Sequence, residues 1–317
     1  MLGDSESAGP SVRSVSANGC TWLDVERPTG AELSYLTREF GITPGDLDSA
    51  LGRDTTSGTW QQGSYLATVL HLPPIVATRR RGSLTSTPVT LFVGSNFIVT
   101  VRVGELRPLV RLFRECETDE AVRDEVYRCG MSSVILAVMG RLLDTFVAGR
   151  SRVERAIGPY EDAPILEGDW QAAREGLSLA IRLRLDVREL RRLVAPLAES
   201  IQTLEREIQP GPTLEVAWAR LKGRSERLAQ SLDEDLLSLE GIINAAQSSA
   251  LLDAARDQRV LTAIAGLTLP VIAVAAVLAM PGGNPLVSGS NGYAYALGVT
   301  GVVFLVALFV LQRCGII

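Results

Sequence analysis

The chain has 317 residues, 46% of them apolar, only 5% aromatic and 21% charged, with a formal net charge of −5. From Arg256 back to the start it reads as a polar, charge-rich globular and helical protein, whereas the remainder reads as membrane. That asymmetry argues against a wholly soluble enzyme.

Cysteine and histidine usage removes further classes. Cys20, Cys116, Cys129 and Cys314 form no CxxC pair, so zinc ribbons and redox motifs are absent and free thiols in a reducing compartment are expected. His71 is the single histidine, so no two-His metal site can form and a Ser-His-acid triad would have to use it. Its place in the apolar run Ala67–Leu72 predicts a strand residue packed against its neighbours.

Residues 1–19 are Ser/Gly-rich, include Asp4 and Glu6, and lack the apolar core of a secretory signal. A flexible N-terminus and a cytoplasmic soluble part are expected. Thr21–Val25 predicts a strand, and Pro28-Thr29 caps a helix running to about Phe40. Thr43-Pro44 opens a second, short helix. Between Ser64 and Val103 lie three apolar runs, YLATVLHLP, VTLFVG and NFIVTVRV. Val and Thr enrichment, with Gly94-Ser95-Asn96 as a turn, makes the last two an antiparallel hairpin. From Glu105 onward the spacing returns to helical. Residues 20–130 are therefore expected to form an α+β domain of α/β/α type.

After Met131 the strand signal ends. Ile135, Val138, Leu142, Leu143, Phe146 and Val153 keep helical spacing, and a second helix is expected from Trp170 to Ile208. Pro210-Gly211-Pro212 breaks it. A third helix begins near Thr213, and Gly223 and Gly241 only weaken it before the membrane. Residues 131–259 are thus long helices and a stalk. A helix continuous to Met280 would be on the order of 100 Å long at 1.5 Å per residue. Such a helix needs partners, most simply copies of itself around an axis.

Residues 260–280 and 293–312 carry the membrane signal. Val260–Met280 and Tyr293–Leu311 contain no charge, and each approaches the roughly 20 residues that cross a bilayer core. Pro270 is tolerated in a membrane helix, and Tyr293 and Tyr295 suit an interface. The connector 281–292 is short and uncharged, while Arg256, Arg259 and Arg313 lie outside the hairpin. That pattern places both termini, including the tail 313–317, in the cytoplasm and the loop outside. Cys314-Gly-Ile-Ile is a chance likeness to a prenylation box, since Gly315 is a poor aliphatic position and no polybasic stretch precedes it.

Several stretches, in order and spacing, resemble one family. They are Trp22-Leu-Asp-Val-Glu-Arg-Pro-Thr, Glu39-Phe-Gly-Ile-Thr-Pro with the Asp46–Leu51 helix, Val69-Leu-His-Leu-Pro, Leu91-Phe-Val-Gly-Ser-Asn-Phe-Ile-Val-Thr-Val and Leu193-Val-Ala-Pro. Above all, Val260-Leu-Thr-Ala-Ile-Ala-Gly-Leu-Thr-Leu-Pro resembles the start of a pore helix. Over nearly its full length the chain is similar to the CorA-type divalent-cation transporters, including their zinc-transporting branch. The resemblance implies a homopentameric funnel in the plasma (inner) membrane. Each subunit would contribute a cytoplasmic α/β/α domain, a stalk helix continuing as the pore-lining membrane helix, and an outer second helix. It implies Mg²⁺, or Zn²⁺ or Co²⁺, as the transported ion, with no cofactor and no enzymatic activity.

The signature differs. Where the family has Gly-Met-Asn, or Gly-Ile-Asn in the zinc branch, this chain has Ala279-Met280-Pro281, followed by Gly282-Gly283-Asn284-Pro285. An amide ring can hold Mg²⁺ through its waters, whereas Pro281 offers neither a side-chain carbonyl nor a backbone N–H. Asn284 as a substitute ring, backbone carbonyls at Gly282 and Gly283, or an ordinary Asn-Pro turn all remain open. The pore face carried over from the family comprises Gln258, Leu261, Thr262, Ala265, Leu269, Ile272 and Ala276, with Ala255 before it. Only Gln258 and Thr262 among them are polar, and the apolar stretch after them suits gating by dewetting and equally a closed helix bundle. Asp233 and Asp235, beside Glu234 and Glu240, are candidates for a regulatory metal, the alternative being a solvated face. Arg182, Arg184, Arg188, Arg191 and Arg192 read as a salt-bridged outer surface rather than a nucleic-acid site. Two functions follow: divalent-cation transport, and a non-conducting scaffold or regulator that kept the fold and lost the filter. A membrane-anchored enzyme lacks any nucleophile–base constellation or phosphate loop.

Overall fold

The computed structural model describes residues 12–52, 56–73, 79–80, 83–84, 86–104, 106–161, 170–278 and 292–313. They fall into two compact units, Met1–Ile243 and Asn244–Ile317.

The first unit begins with a hairpin. Strand β1 (Arg13–Ala17) pairs antiparallel with β2 (Cys20–Glu26) across Asn18-Gly19, both at positive φ. Asn-Gly supplies the left-handed pair that a two-residue hairpin turn requires. The N-terminal segment expected to be flexible therefore carries an edge strand. Helix α1 (Gly30–Phe40) starts at a capping box: the Thr29 backbone N–H donates to Glu32 Oε2 at 2.6 Å. It stops at Gly41, whose φ of 66° a Cβ would disfavour. Thr43 caps α2 (Pro44–Leu51), with Pro44 in the first turn.

Strands β3 (Gly58–Gln62), β4 (Tyr65–Leu72), β7 (Thr87–Val93) and β8 (Phe97–Arg102) complete a six-stranded sheet in the order β1-β2-β8-β7-β4-β3. A separate small ribbon pairs β5 (Arg79–Arg80) with β6 (Ser83–Leu84). Within the large sheet β2 runs parallel to β8 and every other pairing is antiparallel, including the expected β7–β8 hairpin. The two-residue period sends alternate side chains to opposite faces. Leu23, Val25, Ala67, Phe92, Val99 and Val101 pack with Leu36, Ile42 and Leu47 on the α1/α2 side. Trp22, Leu70, Leu91 and Ile98 join the larger core with α3 (Arg107–Thr118), α5 (Met131–Glu161) and α6 (Trp170–Ile208). The result is the α/β/α layering expected from the sequence. A short α4 (Glu120–Val126), capped by Asp119, links α3 to α5.

Helix α5 is long and apolar enough over Met131–Gly158 to cross a membrane, but Val134, Ile135, Val138, Met139 and Leu143 are fully buried in the core. It is a core helix. Helix α7 (Pro212–Leu278) is unbroken over 67 residues, Pro270 included. In the first unit it buries Trp218, Leu221, Leu228, Leu232 and Leu239, a stripe at steps of three, four and seven.

The second unit comprises the rest of α7 and helix α8 (Gly292–Arg313), whose only charge is Arg313. Leu311 of α8, 7% exposed, lies over Gly266 of α7; a Cβ added at Gly266 would meet Leu311 Cδ2 at 3.2 Å. A glycine at a helix contact lets two apolar helices approach without a hydrophobic drive between them.

Candidate ion pathway

Asp257–Ala276 of α7 is the apolar segment that stands nearly free of burial. The side of α7 turned to its hairpin partner is marked by its half-buried residues: Ala263, Gly266, Leu267, Pro270, Val271 and Val274. The expected pore residues Gln258, Leu261, Thr262, Ala265, Leu269, Ile272 and Ala276 are all exposed instead. At 100° per residue their mean direction is roughly 150° around the helix from that half-buried side. Large side chains stand out on this face, with Leu261 67%, Leu269 64% and Ile272 61% exposed. Such a surface on one chain lacks its lipid or protein cover.

Polarity along the stripe is confined to its start. Thr262 Oγ1 donates to the Gln258 carbonyl at 2.7 Å, a bond back along the helix that leaves the hydroxyl oxygen free to accept. Beyond it, Ala265, Leu269, Ile272 and Ala276 offer no hydrogen-bonding side chain. The expected filter positions Ala279, Met280, Pro281, Gly282, Gly283 and Asn284 lie outside the described residues.

The two carboxylates considered for a regulatory metal already have partners within the subunit. Asp235 accepts from Arg150 and Asp233 from Arg191. Among the described residues no group of three or more His, Cys, Asp or Glu is placed to hold a metal. The arginine-rich face of α6 is salt-bridged as expected at Arg191, and at Arg192 to Glu189 at 2.7 Å. What sequence reasoning missed was Arg150, whose partner is 85 residues away and leaves no local signal.

His71 sits on β4, with Ser57 Oγ 2.9 Å from Nδ1. Burial and then the Arg192 charge push its pKa below the ordinary histidine value. The charge bearing on the ring is thus opposite in sign to the carboxylate that would orient a triad. A surface hollow of about 510 Å³ is bordered by Arg128, Arg141 and Arg224, but Arg224 is paired with Asp144 at 2.7 Å and Arg141 with Glu115 at 3.7 Å.

Residues 17–313 match the family model described as "CorA-like Mg2+ transporter protein". Among solved structures, the complete CorA magnesium transporter from Methanocaldococcus jannaschii aligns with a TM-score of 0.79 at 14% identity, over 96% of this chain and 94% of that one. The full-length CmaX protein aligns at 0.65 and 19% identity, over 93% and 88% respectively. The cytoplasmic domain of ZntB from Vibrio parahaemolyticus aligns at 0.51 and 10% identity, over 73% of this chain and 88% of that domain. At these identities the likenesses establish the fold. No curated protein matches.

Proposed function

The chain belongs to the CorA-like Mg²⁺ transporter family, and on that premise we propose that it carries divalent cations across the plasma membrane through a pore on the axis of a homopentamer. The observation that supports this reading most directly is the exposed α7 stripe from Gln258 to Ala276, which points away from α8. Copies of α7 arranged around an axis would turn this stripe inward and leave α8 outside toward lipid, with both termini cytoplasmic. Gln258 and Thr262 would then form a polar entrance, and Ala265 to Ala276 an apolar constriction that opens by hydration. The transported ion is Mg²⁺, Zn²⁺ or Co²⁺. Ion choice would fall to hydrated-ion contacts at Gln258, Thr262 and the 279–284 loop, because no charge lines the stripe.

A second reading, a non-conducting family member that serves as a membrane scaffold, is favoured by one observation: Ala279-Met280-Pro281 stands in place of the amide-bearing signature. Flux of Mg²⁺, Zn²⁺ and Co²⁺ into proteoliposomes, each tested separately beside empty vesicles and Ala276→Asp, separates the two. Flux of one ion above the empty vesicles, altered by Ala276→Asp, supports transport. No flux of any of the three from an intact oligomer supports the scaffold.

A further inference from the structure

Helix α7 carries Asp233-Glu234-Asp235 where it packs on the rest of the first unit, and two of these carboxylates are held by guanidinium groups from different helices. Arg150 of α5 donates from Nε to Asp235 Oδ2 at 2.9 Å and from Nη2 to Oδ1 at 3.0 Å, so both carboxylate oxygens are taken. The Asp235 side chain is only 13% exposed. Arg191 of α6 donates from Nε to Asp233 Oδ1 at 2.9 Å. A third pair runs the other way, with Arg224 of α7 donating to Asp144 of α5 at 2.7 Å.

A guanidinium fork and a divalent cation compete for the same oxygens. The fork is tethered, so its effective concentration is on the order of millimolar or above before any free ion arrives. Around Arg150 the hydrogen-bonded Asp235 is the leading influence that raises its pKa, with Glu154 and Glu234 adding to it against the cost of burial. Arg150 thus serves Asp235 directly and Glu154 at 3.8 Å.

We infer that Arg150 acts as a built-in counter-cation that holds α7 on α5 through Asp235, the exposed Arg191–Asp233 pair adding little, so that this packing, and with it control of the ion pathway, needs no cytoplasmic divalent cation at Asp235. The step to transport rests on the proposed function, whereas the packing claim stands without it.

Melting of the full-length, detergent-purified protein with and without MgCl₂ at matched ionic strength tests the packing. The wild-type midpoint is expected not to move with MgCl₂. Arg150→Gln and Asp235→Asn should each lower the midpoint by several degrees, and the double variant by less than their sum. Magnesium should raise the midpoint of Arg150→Gln, which leaves Asp235 and Glu154 without their cation, but not that of the double variant. Arg150→Lys, which keeps the charge without the fork, should melt between wild type and Arg150→Gln and serves where the glutamine variant does not fold. A wild-type midpoint that rises with MgCl₂ unless Asp235 is replaced overturns the inference, as do additive losses in the double variant. In vesicles, flux unchanged by Mg²⁺ on the side of the soluble domain supports the regulatory step, and closure that Asp235→Asn abolishes overturns it. A wild type without flux would sink the transport reading alone, with the melting series still deciding the packing.

Discussion

Arg102 of β8 grips the Asp24 carboxylate of β2 across the sheet's one parallel pairing. Its Nε donates to both Asp24 oxygens at 3.2 Å and its Nη2 to Oδ2 at 3.0 Å. The two side chains are 3% and 2% exposed. Thr100 Oγ1 donates to Asp24 Oδ1 at 2.8 Å, and Arg102 Nη1 reaches Glu26 at 3.0 Å and the Gly104 carbonyl at 3.1 Å. Burial opposes the charge on Arg102, but Asp24 and Glu26 outweigh it and hold the group above its ordinary pKa.

Removing one member of this pair strands the other. Arg102→Met should cost about 3–5 kcal/mol, because Asp24 would stay buried without a cation. Asp24→Leu combined with Arg102→Met should recover much of that loss, since a dry apolar pair carries no desolvation penalty. Denaturant or thermal melting of the single and double variants measures the difference, and equal losses in both would show that the pair is not the cause.

Burial also sets thiol reactivity. Cys116 is fully buried, and desolvation first, with the Glu115 charge second, pushes its pKa up to about 11. A thiol held neutral in the fold adds stability below its unfolded pKa, and this is lost as pH rises through the native value. At pH 8 Cys116 and the buried Cys20 should resist iodoacetamide, while the half-exposed Cys129 is alkylated. Peptide mass spectrometry of native and denatured protein reads this. Rapid native modification of Cys116 would contradict its place in the core.

How far the sequence foretold this molecule depends on the reach of each signal. The helix start at Thr29, the β7–β8 hairpin and the uninterrupted α7 are local patterns, and all were legible. The Asn18-Gly19 turn is equally local, yet it lies in a Ser/Gly-rich start whose composition masked β1. Strand β3 pairs only at the sheet edge, and its Gly58-Thr-Trp-Gln-Gln lacks a long apolar run. Pairings such as Asp24 with Arg102, or Arg150 with Asp235, join residues 78 and 85 positions apart, and nothing local distinguishes those charges from solvated ones. The stripe on α7 came from the family resemblance, its steps of three and four placing it on one face, but that it faces away from α8 required the Gly266–Leu311 contact.

His71 should shape the acid side of the stability profile. Its native pKa lies below the unfolded value, first because of burial and then because of Arg192. The neutral ring therefore contributes stability that is fully present above the unfolded pKa and lost as pH falls through the native one. His71→Gln, which can still meet Ser57, should flatten the melting temperature between about pH 7 and pH 5, a window set by the ordinary histidine pKa. An unchanged slope would assign the acid sensitivity to the carboxylates.

The close approach at Gly266 predicts a graded response. Gly266→Ala sets a Cβ 3.2 Å from the end of the Leu311 side chain, which can rotate away, so a small effect is expected. Gly266→Ile should cost roughly 1–3 kcal/mol through overpacking. Leu311→Ala in the isoleucine background should return part of it. Melting in detergent tests the series, and a Gly266→Ile protein as stable as wild type would mean the two helices do not meet there.

The assignment of the pore face can be tested by wetting it. Leu269 is 64% exposed on the stripe, within the apolar stretch from Ala265 to Ala276. If that stretch is a constriction that holds water out, an amide at Leu269 should lower the barrier for every permeant ion alike, because it supplies hydration without charge. Leu269→Asn is expected to raise proteoliposome flux on the order of tenfold, the equivalent of about 1.4 kcal/mol off the barrier. Ile264 is similarly apolar and 54% exposed, but lies roughly 120° around the helix from the stripe. Ile264→Asn should leave flux near wild type while carrying the same polar burden in the membrane. Equal gains at both positions would place the permeation path on another face of α7, and a gain at Leu269 alone ties conduction to the stripe that begins at Gln258.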